Sequence, residues 1–570
     1  MSRYMRTRAS RVSLARVETK SLLLRAAPSR LYSKKRRQAA PLTPEAEALD
    51  FANRKEHLLN SGRELYPLLG TTRVNGQPPA IRVPEFRAQW ESKATHETPA
   101  DTSYTIQGRV KTIRKSGKGL IFIDLVQDFT KLQIVVNRDK AGLSQEVFDS
   151  EHAFLRRGDI VSTTGRPWRT KSGELSLLAD GTVKLMTPCL HPLPLNLTNA
   201  TTRAHNRVVD LAANAHSRDV LRARSTVMAY IREFFGARGF MEVQTPMLAD
   251  RASGATATPF TTRSRALGSD GKDVELALRI APELWLKRLV VSGFDKVFEV
   301  GQCFRNEGID ATHNPEFTSC EFYQSFATLE DLMDITQQLL RGVVQRVRDT
   351  HGAENFPLDT ETGTGSRLDK LAEDFAPNFK VLDFVPEIEK CTGVPLPTDL
   401  SDVPALLKYF TAAGLSEPTV EANGALTAPK LLDKLAGIYL EPQCQDQPTF
   451  IVNHPTEMAP LAKSAIVNGR SLSRRFELFI HGREYANAYE EENSPFAQAR
   501  KFAVQLRDRE ELHDEESPLP DDSFVRALEW GLPPTGGWGL GIDRLVMLLT
   551  GATRIEQVLA FGGVKTVNYQ

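Results

Sequence analysis

Apolar and polar positions alternate with period two through residues 104–190, in the runs YTIQGRV, LIFIDLV, KLQIVV, DIVSTTGR and ELSLLADGTVKLM. Gly, Asp and Lys-Ser-Gly turns separate them, which is the pattern of short, half-buried strands. Five strands with a helical piece at residues 143–154 between the third and fourth predict an OB-type barrel, a fold that holds single-stranded nucleic acid on aromatic side chains. Ile121, Ile123 and Leu125 share one face of the second strand; Phe122 and Asp124 take the other. In the third strand Leu132, Ile134 and Val136 point one way and Gln133 the other. Either Phe122 and Gln133 meet on an outer face near Arg114, or Phe122 belongs to the core of a two-sided sheet.

Elsewhere the period changes. Thr43-Pro44-Glu45 opens a helical pattern that runs to about Asn60, with Pro suited to the first helical position. Residues 70–100 are Pro-rich and mixed, and HPLPLN at 191–196 is a stiff linker. An amphipathic helix over about 219–238 leads into the strand-like MEVQTPML. Residues 355–450 read as helical with Pro and Gly breaks. The expected class is α+β: a leader over 1–32, an extension over 33–100, the barrel over 101–195, and a second domain over 196–570 interrupted by a helical insertion at about 355–445.

Within that second domain FRNEGIDATHNPEFT sets a charged run between VFEV and CEFYQSF. Read as strand, loop and strand, it places Phe317, Ser319, Glu321 and Tyr323 on one face. A Phe, a Glu and a Tyr in a row can stack a flat ring and hold a cation, and Arg305 beside them can grip a phosphate or carboxylate bidentately. In RFELFIHGREYANAYEE, Asn487, Tyr489 and Glu491 share a face, with Glu477 and Glu484 nearby. These acids read either as a site for metal ions or a basic substrate, or as a solvated edge that blunts aggregation. PPTGGWGLGIDRL is Gly-rich and ends in Arg544 at a helix start, a place for polyphosphate, although its spacing is neither a Rossmann nor a Walker pattern. Glu283 opens the helix ELWLKRLVV, where an acid also simply favours the macrodipole.

Charge changes the picture at one end. Residues 1–40 hold nine Arg and three Lys against one acid, Glu18, so they carry +11 and the remaining 530 residues −10. An Arg- and Ser-rich, acid-poor leader has the composition of a mitochondrial transit peptide, with Tyr32 before a matrix-protease-like cut; the other reading is a basic arm that binds RNA. The five cysteines are scattered without metal-type spacing, as expected in a reducing compartment. No run of 18 apolar residues is present to span a membrane.

Taken together the motifs resemble the class II aminoacyl-tRNA synthetases. GFMEVQTPML is similar to their motif 1, FRNEG…HNPEFT to motif 2 and GLGIDRL to motif 3. SGATATPF, RIAPELWLKRLVVSGF, THNPEFTSCEFY, NHPTEMAPLAK and RFELFIHGREYANAYEE resemble the lysyl members, and with the basic leader the mitochondrial form. The resemblance implies an N-terminal OB-fold barrel followed by a catalytic domain of antiparallel sheet flanked by helices, acting as a lysine–tRNA ligase with ATP and Mg2+ on tRNA(Lys). It implies a homodimer in the mitochondrial matrix, with no membrane attachment. It assigns Gly254 and Glu283 to the substrate α-ammonium, and Arg305 and Asn487 to its carboxylate. Glu321, Tyr323 and Glu491 fall to the ε-ammonium. Glu307, His313, Asn314 and Phe317 fall to the nucleotide, Arg544 to the γ-phosphate, and Glu477 and Glu484 to magnesium. Arg114, Phe122, Gln133 and Glu174 match anticodon-reading positions. The sequence departs from the family at Ala459, at Gly536, in RVVDLAANAHSR and in the ending FGGVKTVNYQ. Two rivals are a tRNA-independent amino-acid ligase, which would lack the barrel, and a non-enzymatic RNA-binding relative, which would lose Arg305, Glu477, Glu484 or Arg544.

Overall fold

The computed structural model describes residues 43–68, 80–96, 103–250, 254, 257–268, 272–359, 364–416, 418, 426–511 and 520–562. The expected leader and its cut, much of the 70–100 segment, Ser253, Ala255 and Thr256 of SGATATPF, and the ending from Gly563 lie outside the described residues. The chain divides into two compact units, residues 1–195 and 196–570.

In the first unit α1 (Pro44–Leu59) starts where the sequence predicts, with the Thr43 hydroxyl accepting from the Ala46 amide. After α2 (Val83–Trp90) come β1 (Tyr104–Lys115), β2 (Leu120–Gln127), β3 (Thr130–Asn137), α3 (Gln145–Ala153), β4 (Ile160–Arg169), β5 (Leu175–Ala179) and β6 (Lys184–Thr187). The order β1-β2-β3-β5-β4 closes through a β1–β4 pairing into a five-stranded barrel, with β6 added to β4. The last predicted run is therefore two strands, broken at Asp180-Gly181. Ile106, Ile121, Ile123, Leu125, Leu132 and Ile134 fill the barrel.

The second unit is built on one eight-stranded sheet. α4 (Ala215–Gly236) runs into β7 (Met241–Glu242), so the strand-like MEVQTPML starts as a short edge pair with β8 (Lys296–Phe304) and ends at Leu248 in a separate small sheet, paired with Leu278. Between them lies α5 (Glu283–Val291). β9 (Glu316–Ser325) returns antiparallel to β8 in unbroken register from Lys296↔Gln324 to Phe304↔Glu316. α6 (Leu329–His351) carries a capping box at Thr328 and Asp331. β10 (Lys380–Asp383) and β11 (Thr449–Val452) form the parallel pair at the other edge. β12 (Arg475–Ile480) and β13 (Arg483–Glu490) are joined by His481 and Gly482, both at positive φ, the two-residue turn that matches strand twist. β14 (Thr535–Gly541) leads into α7 (Ile542–Thr550). The sheet order is β10-β11-β12-β13-β14-β9-β8-β7.

Aromatics and aliphatics of α4, α6 and α7 pack on one sheet face around Phe235, Phe322 and Trp538, whose rings lie 5.1–6.1 Å apart. The 355–445 segment is mostly helical and has its own apolar core around Phe384, Phe410 and Leu432, yet it also delivers β10 to the main sheet. No described helix is long and apolar enough to cross a membrane, and all five cysteines are unpaired thiols.

Candidate active site

The middle strands of the sheet, β12, β13, β14 and β9, floor a cavity of about 490 Å³. Period two explains its lining: Phe317, Ser319, Glu321 and Tyr323 of β9 all reach it, as do Asn487 and Tyr489 of β13. Arg305 follows β8, its amide bonded to the Pro315 carbonyl across the hairpin mouth. Its guanidinium lies 5.1 Å from the Phe317 ring centroid, and its Nε is buried with no hydrogen-bond partner among the described residues. A buried cationic donor left without a partner suits an anionic ligand.

The hairpin beyond Arg305 is ordered by short contacts. Asp310 accepts from the Thr312 and His313 amides and the His313 ring, and these hold its carboxyl well below the usual range. Arg544, at the start of α7, donates to His313 Nε2 at 2.8 Å, which makes Nδ1 the protonated nitrogen facing Asp310. Glu307 and Asn314 line the same mouth, Asn314 donating to the Glu316 carbonyl. Asp543, beside Arg544, is buried; it accepts from the Thr318 amide at 2.8 Å and pairs with Arg224. That contact ties α7 to β9 and so fixes Arg544 relative to Phe317.

The opposite end is acidic. Glu283 is the first residue of α5, buried against Gly254, whose φ of +99° and close approach to the Glu283 side chain both favour glycine. Glu283 Oε1 accepts from Tyr489 Oη at 2.7 Å and from Lys287 Nζ at 2.5 Å. Lys287 also pairs with Glu491. Burial alone would strip the Lys287 ammonium of its proton; the two carboxylates outweigh it and keep the charge. Glu321 accepts from Tyr323 Oη at 3.1 Å, and its pKa is pushed up to about 8, first by burial and then by the charge of Glu283. Gly537 makes room for this packing: a Cβ there would collide with Glu491 Oε1 and the Tyr323 ring.

Arg475 of β12 donates to Asn487 Oδ1 at 2.9 Å and to Glu477 Oε1 at 2.5 Å. His454 faces the other Glu477 oxygen at 3.2 Å. Burial works against charge on Glu477, but Arg475 and His454 outweigh it and its pKa stays low. Glu484 lines the cavity with its pKa raised by burial and by Glu477. Two acids on adjacent strands, one of them reluctant to ionise, are a donor set that a divalent cation would relieve.

The cavity thus gathers Gly254, Glu283, Arg305, Glu307, His313, Asn314, Phe317, Glu321, Tyr323, Glu484, Asn487 and Arg544. Glu477 and Glu491 stand behind its wall, each held by a basic side chain. Sequence reasoning missed both of those bases, Arg475 and Lys287. Lys287 did carry a signal, an i+4 spacing from Glu283 in a helix whose remaining residues, Arg288 apart, are apolar.

On the barrel, Arg114 pairs in register with Phe122 and Asp124 with Gln133. The Arg114 guanidinium lies 5.6 Å from the Phe122 ring centroid and 3.7 Å from Asp124. Phe122 is half-buried on the outer face, not a core residue. Gln133 is not open beside it. It is buried, its carbonyl accepting from Ser176 at 3.1 Å and its amide donating to Glu174 at 3.3 Å, where β3 runs beside β5. Glu174 also pairs with Lys131 at 3.0 Å.

Comparison with known proteins agrees with this architecture. Residues 199–565 match the family of class II tRNA synthetases (D, K and N), and residues 104–185 match the OB-fold nucleic acid binding domain of the anticodon type. The chain belongs to the class II tRNA synthetases. Within that class it falls with the lysine–tRNA ligases. It is 40% identical over 528 residues to the mitochondrial lysine–tRNA ligase of Schizosaccharomyces pombe, covering 91% of this chain and 94% of that one. The mitochondrial enzyme of Saccharomyces cerevisiae is 38% identical over 83% of this chain and 84% of its own. The lysine–tRNA ligase of Enterococcus faecalis is 39% identical over 84% and 90%.

Proposed function

We propose that the protein activates L-lysine with ATP and transfers it to tRNA(Lys) for mitochondrial translation. The observation that carries this reading is the polarity of the cavity: unpaired arginine at one end, carboxylates in excess at the other. Lysine presents one carboxylate and two ammonium groups, which fits that polarity. Aspartate or asparagine, with an α-ammonium alone, would leave Glu321 and Glu491 without a substrate cation, a costly state for buried charge.

The lysine carboxylate is already ionised, so no general base is needed. A carboxylate oxygen attacks the α-phosphorus, the bond to the bridging oxygen breaks, and pyrophosphate leaves with its electrons. Arg305 holds the attacking carboxylate and the α-phosphate together, so positioning and charge stabilisation carry the rate. Phe317 stacks on adenine, Glu307, His313 and Asn314 contact the nucleotide, and Arg544 takes the γ-phosphate. Asn487, whose Oδ1 already accepts from Arg475, donates its amide to the lysine carboxylate. Glu283 and Gly254 receive the α-ammonium; Glu321 and Tyr323, with Glu491 behind them, receive the ε-ammonium. Glu484, with Glu477, would hold Mg2+, which when bound with ATP offsets phosphate charge. A terminal ribose hydroxyl of tRNA then attacks the lysyl carbonyl and AMP leaves. Arg114, Phe122 and Glu174 read the anticodon, with the buried Gln133 positioning Glu174.

The protein acts as a homodimer in the mitochondrial matrix, directed by the leader at residues 1–32. The test is charging of tRNA(Lys) with lysine and ATP, together with a reporter fused to residues 1–40. Lysyl-tRNA formation and a mitochondrial reporter are expected. No charging would reject the activity, and a cytosolic reporter would reject the location.

A further inference from the structure

The acid end of the cavity contains a charge that the proposed chemistry does not use. Lys287 is fully buried, one helical turn from Glu283, and does not line the cavity. An i,i+4 Glu–Lys pair is normally a surface feature worth a few tenths of a kcal/mol. Here it sits in the protein interior, with Nζ between Glu283, which opens α5, and Glu491, which follows β13. The rings of Tyr489 and Phe524 lie 5.5 and 5.7 Å from that ammonium. Replacing a buried ion pair by apolar groups is often neutral or stabilising, so stability alone does not explain its presence.

Charge counting does. Three carboxylates meet here, Glu283, Glu321 and Glu491, against one ammonium. Of the next charges outward, Glu299 is matched by Arg279 at 2.6 Å, Glu492 by Lys501 at 3.0 Å and Asp521 by Arg288 at 3.0 Å, while Arg305, which also acts on Glu321, is left for the substrate carboxylate. The cluster is therefore short of neutrality by two positive charges. Glu491 Oε1 is buried without a hydrogen-bond partner, and burial raises the proton affinity of both Glu321 and Glu491. An empty pocket makes up the deficit with Arg305 and with a proton on Glu321; on binding, the substrate carboxylate takes Arg305 and the two ammonium groups replace both.

We propose that Lys287 is a specificity-determining positioning residue, an internal ammonium that holds Glu283 and Glu491 in place and sets the charge deficit of the pocket at two. This deepens the lysine–tRNA ligase reading and rests on it. Without Lys287 the deficit is three, one more than lysine supplies. Without Glu491 it is one, and Lys287 then competes with the substrate for Glu283. Removing both returns it to two.

The test is lysine-dependent ATP–pyrophosphate exchange on wild type, E491Q and the paired variant K287M/E491Q, with KM measured for lysine and for ATP. E491Q is expected to raise the KM for lysine on the order of 100-fold, the scale of one broken buried pair, while the KM for ATP stays within about 3-fold. Adding K287M, which removes a second charged side chain, is expected to recover lysine affinity by about 10-fold or more. A merely structural lysine predicts the reverse, further loss and equal damage to both KM values. A paired variant no better than E491Q overturns the role of Lys287 and leaves the activity standing. A wild type without lysine-dependent exchange overturns the activity itself, and the inference with it.

Discussion

The acid end of the catalytic cavity and the outer wall of the barrel are both polar clusters on paired strands, but they sit in different dielectrics. Around Lys287 the charges are buried and each carboxylate depends on a particular neighbour. Around Arg114 and Phe122 the side chains remain half in water, and the Arg114–Asp124 pair at 3.7 Å is loose. A missing partner in the first place costs several kcal/mol; in the second it costs about 1 kcal/mol or less. The difference suits the tasks proposed for them. A small substrate must be discriminated by a few groups, whereas RNA is gripped by many weak, salt-sensitive contacts.

The largest effect expected is at Arg305, where the proposed chemistry brings both reacting groups. Arg305→Ala should lower lysine-dependent pyrophosphate exchange by about 1,000-fold, the scale for loss of a preorganised charge donor. A loss under tenfold would take Arg305 out of the chemistry.

The next is at Glu321. Its pKa near 8 in the empty pocket means that it keeps its proton at neutral pH. The substrate ammonium favours the carboxylate, so binding expels that proton. Lysine affinity should therefore weaken as pH falls below about 8, by up to tenfold per unit. Calorimetry from pH 6 to 8 in buffers of different ionisation heat reads the proton release directly. Glu321→Gln should weaken lysine binding about 100-fold, keep ATP binding, and abolish the slope. A flat wild-type profile would contradict the buried-acid account.

Gly537→Ala comes third, because its methyl would collide with Glu491 and Tyr323. We expect a destabilisation of about 1–3 kcal/mol by thermal unfolding, with a raised KM for lysine. A neutral result would mean the acid wall is loosely packed.

The barrel should answer more mildly. Phe122→Ala should raise the KM for tRNA about tenfold, in line with the loss of one base stack, and Arg114→Ala should do so less and with salt dependence. Pyrophosphate exchange should be unchanged in both. Equal damage to exchange would erase the contrast between the two regions.

Much of this contrast was legible in the chain. Period-two alternation put Phe317, Glu321 and Tyr323 on one face before any coordinates, and the barrel strands followed from turn residues and alternation. What was hidden was long-range. Nothing local says that Lys287 meets Glu491, more than 200 residues away, rather than water. Glu477 and Glu491 read as cavity residues because strand parity gives a face but not the depth at which a side chain is intercepted by a neighbour. Gln133 read as open for the same reason: alternation cannot see Ser176 and Glu174 reaching it from β5 and the residue before that strand. The break between β5 and β6 and the delivery of β10 from a helical segment are likewise decided by partners elsewhere in the chain.

The central claim is that the cavity selects an amino acid by matching two ammonium groups to an excess of buried carboxylates. ATP–pyrophosphate exchange by the wild-type chain with L-lysine, L-aspartate and L-asparagine as separate substrates tests it most directly. Exchange with lysine and none above background with the other two is the predicted result; exchange with aspartate or asparagine at a rate equal to that with lysine would contradict it.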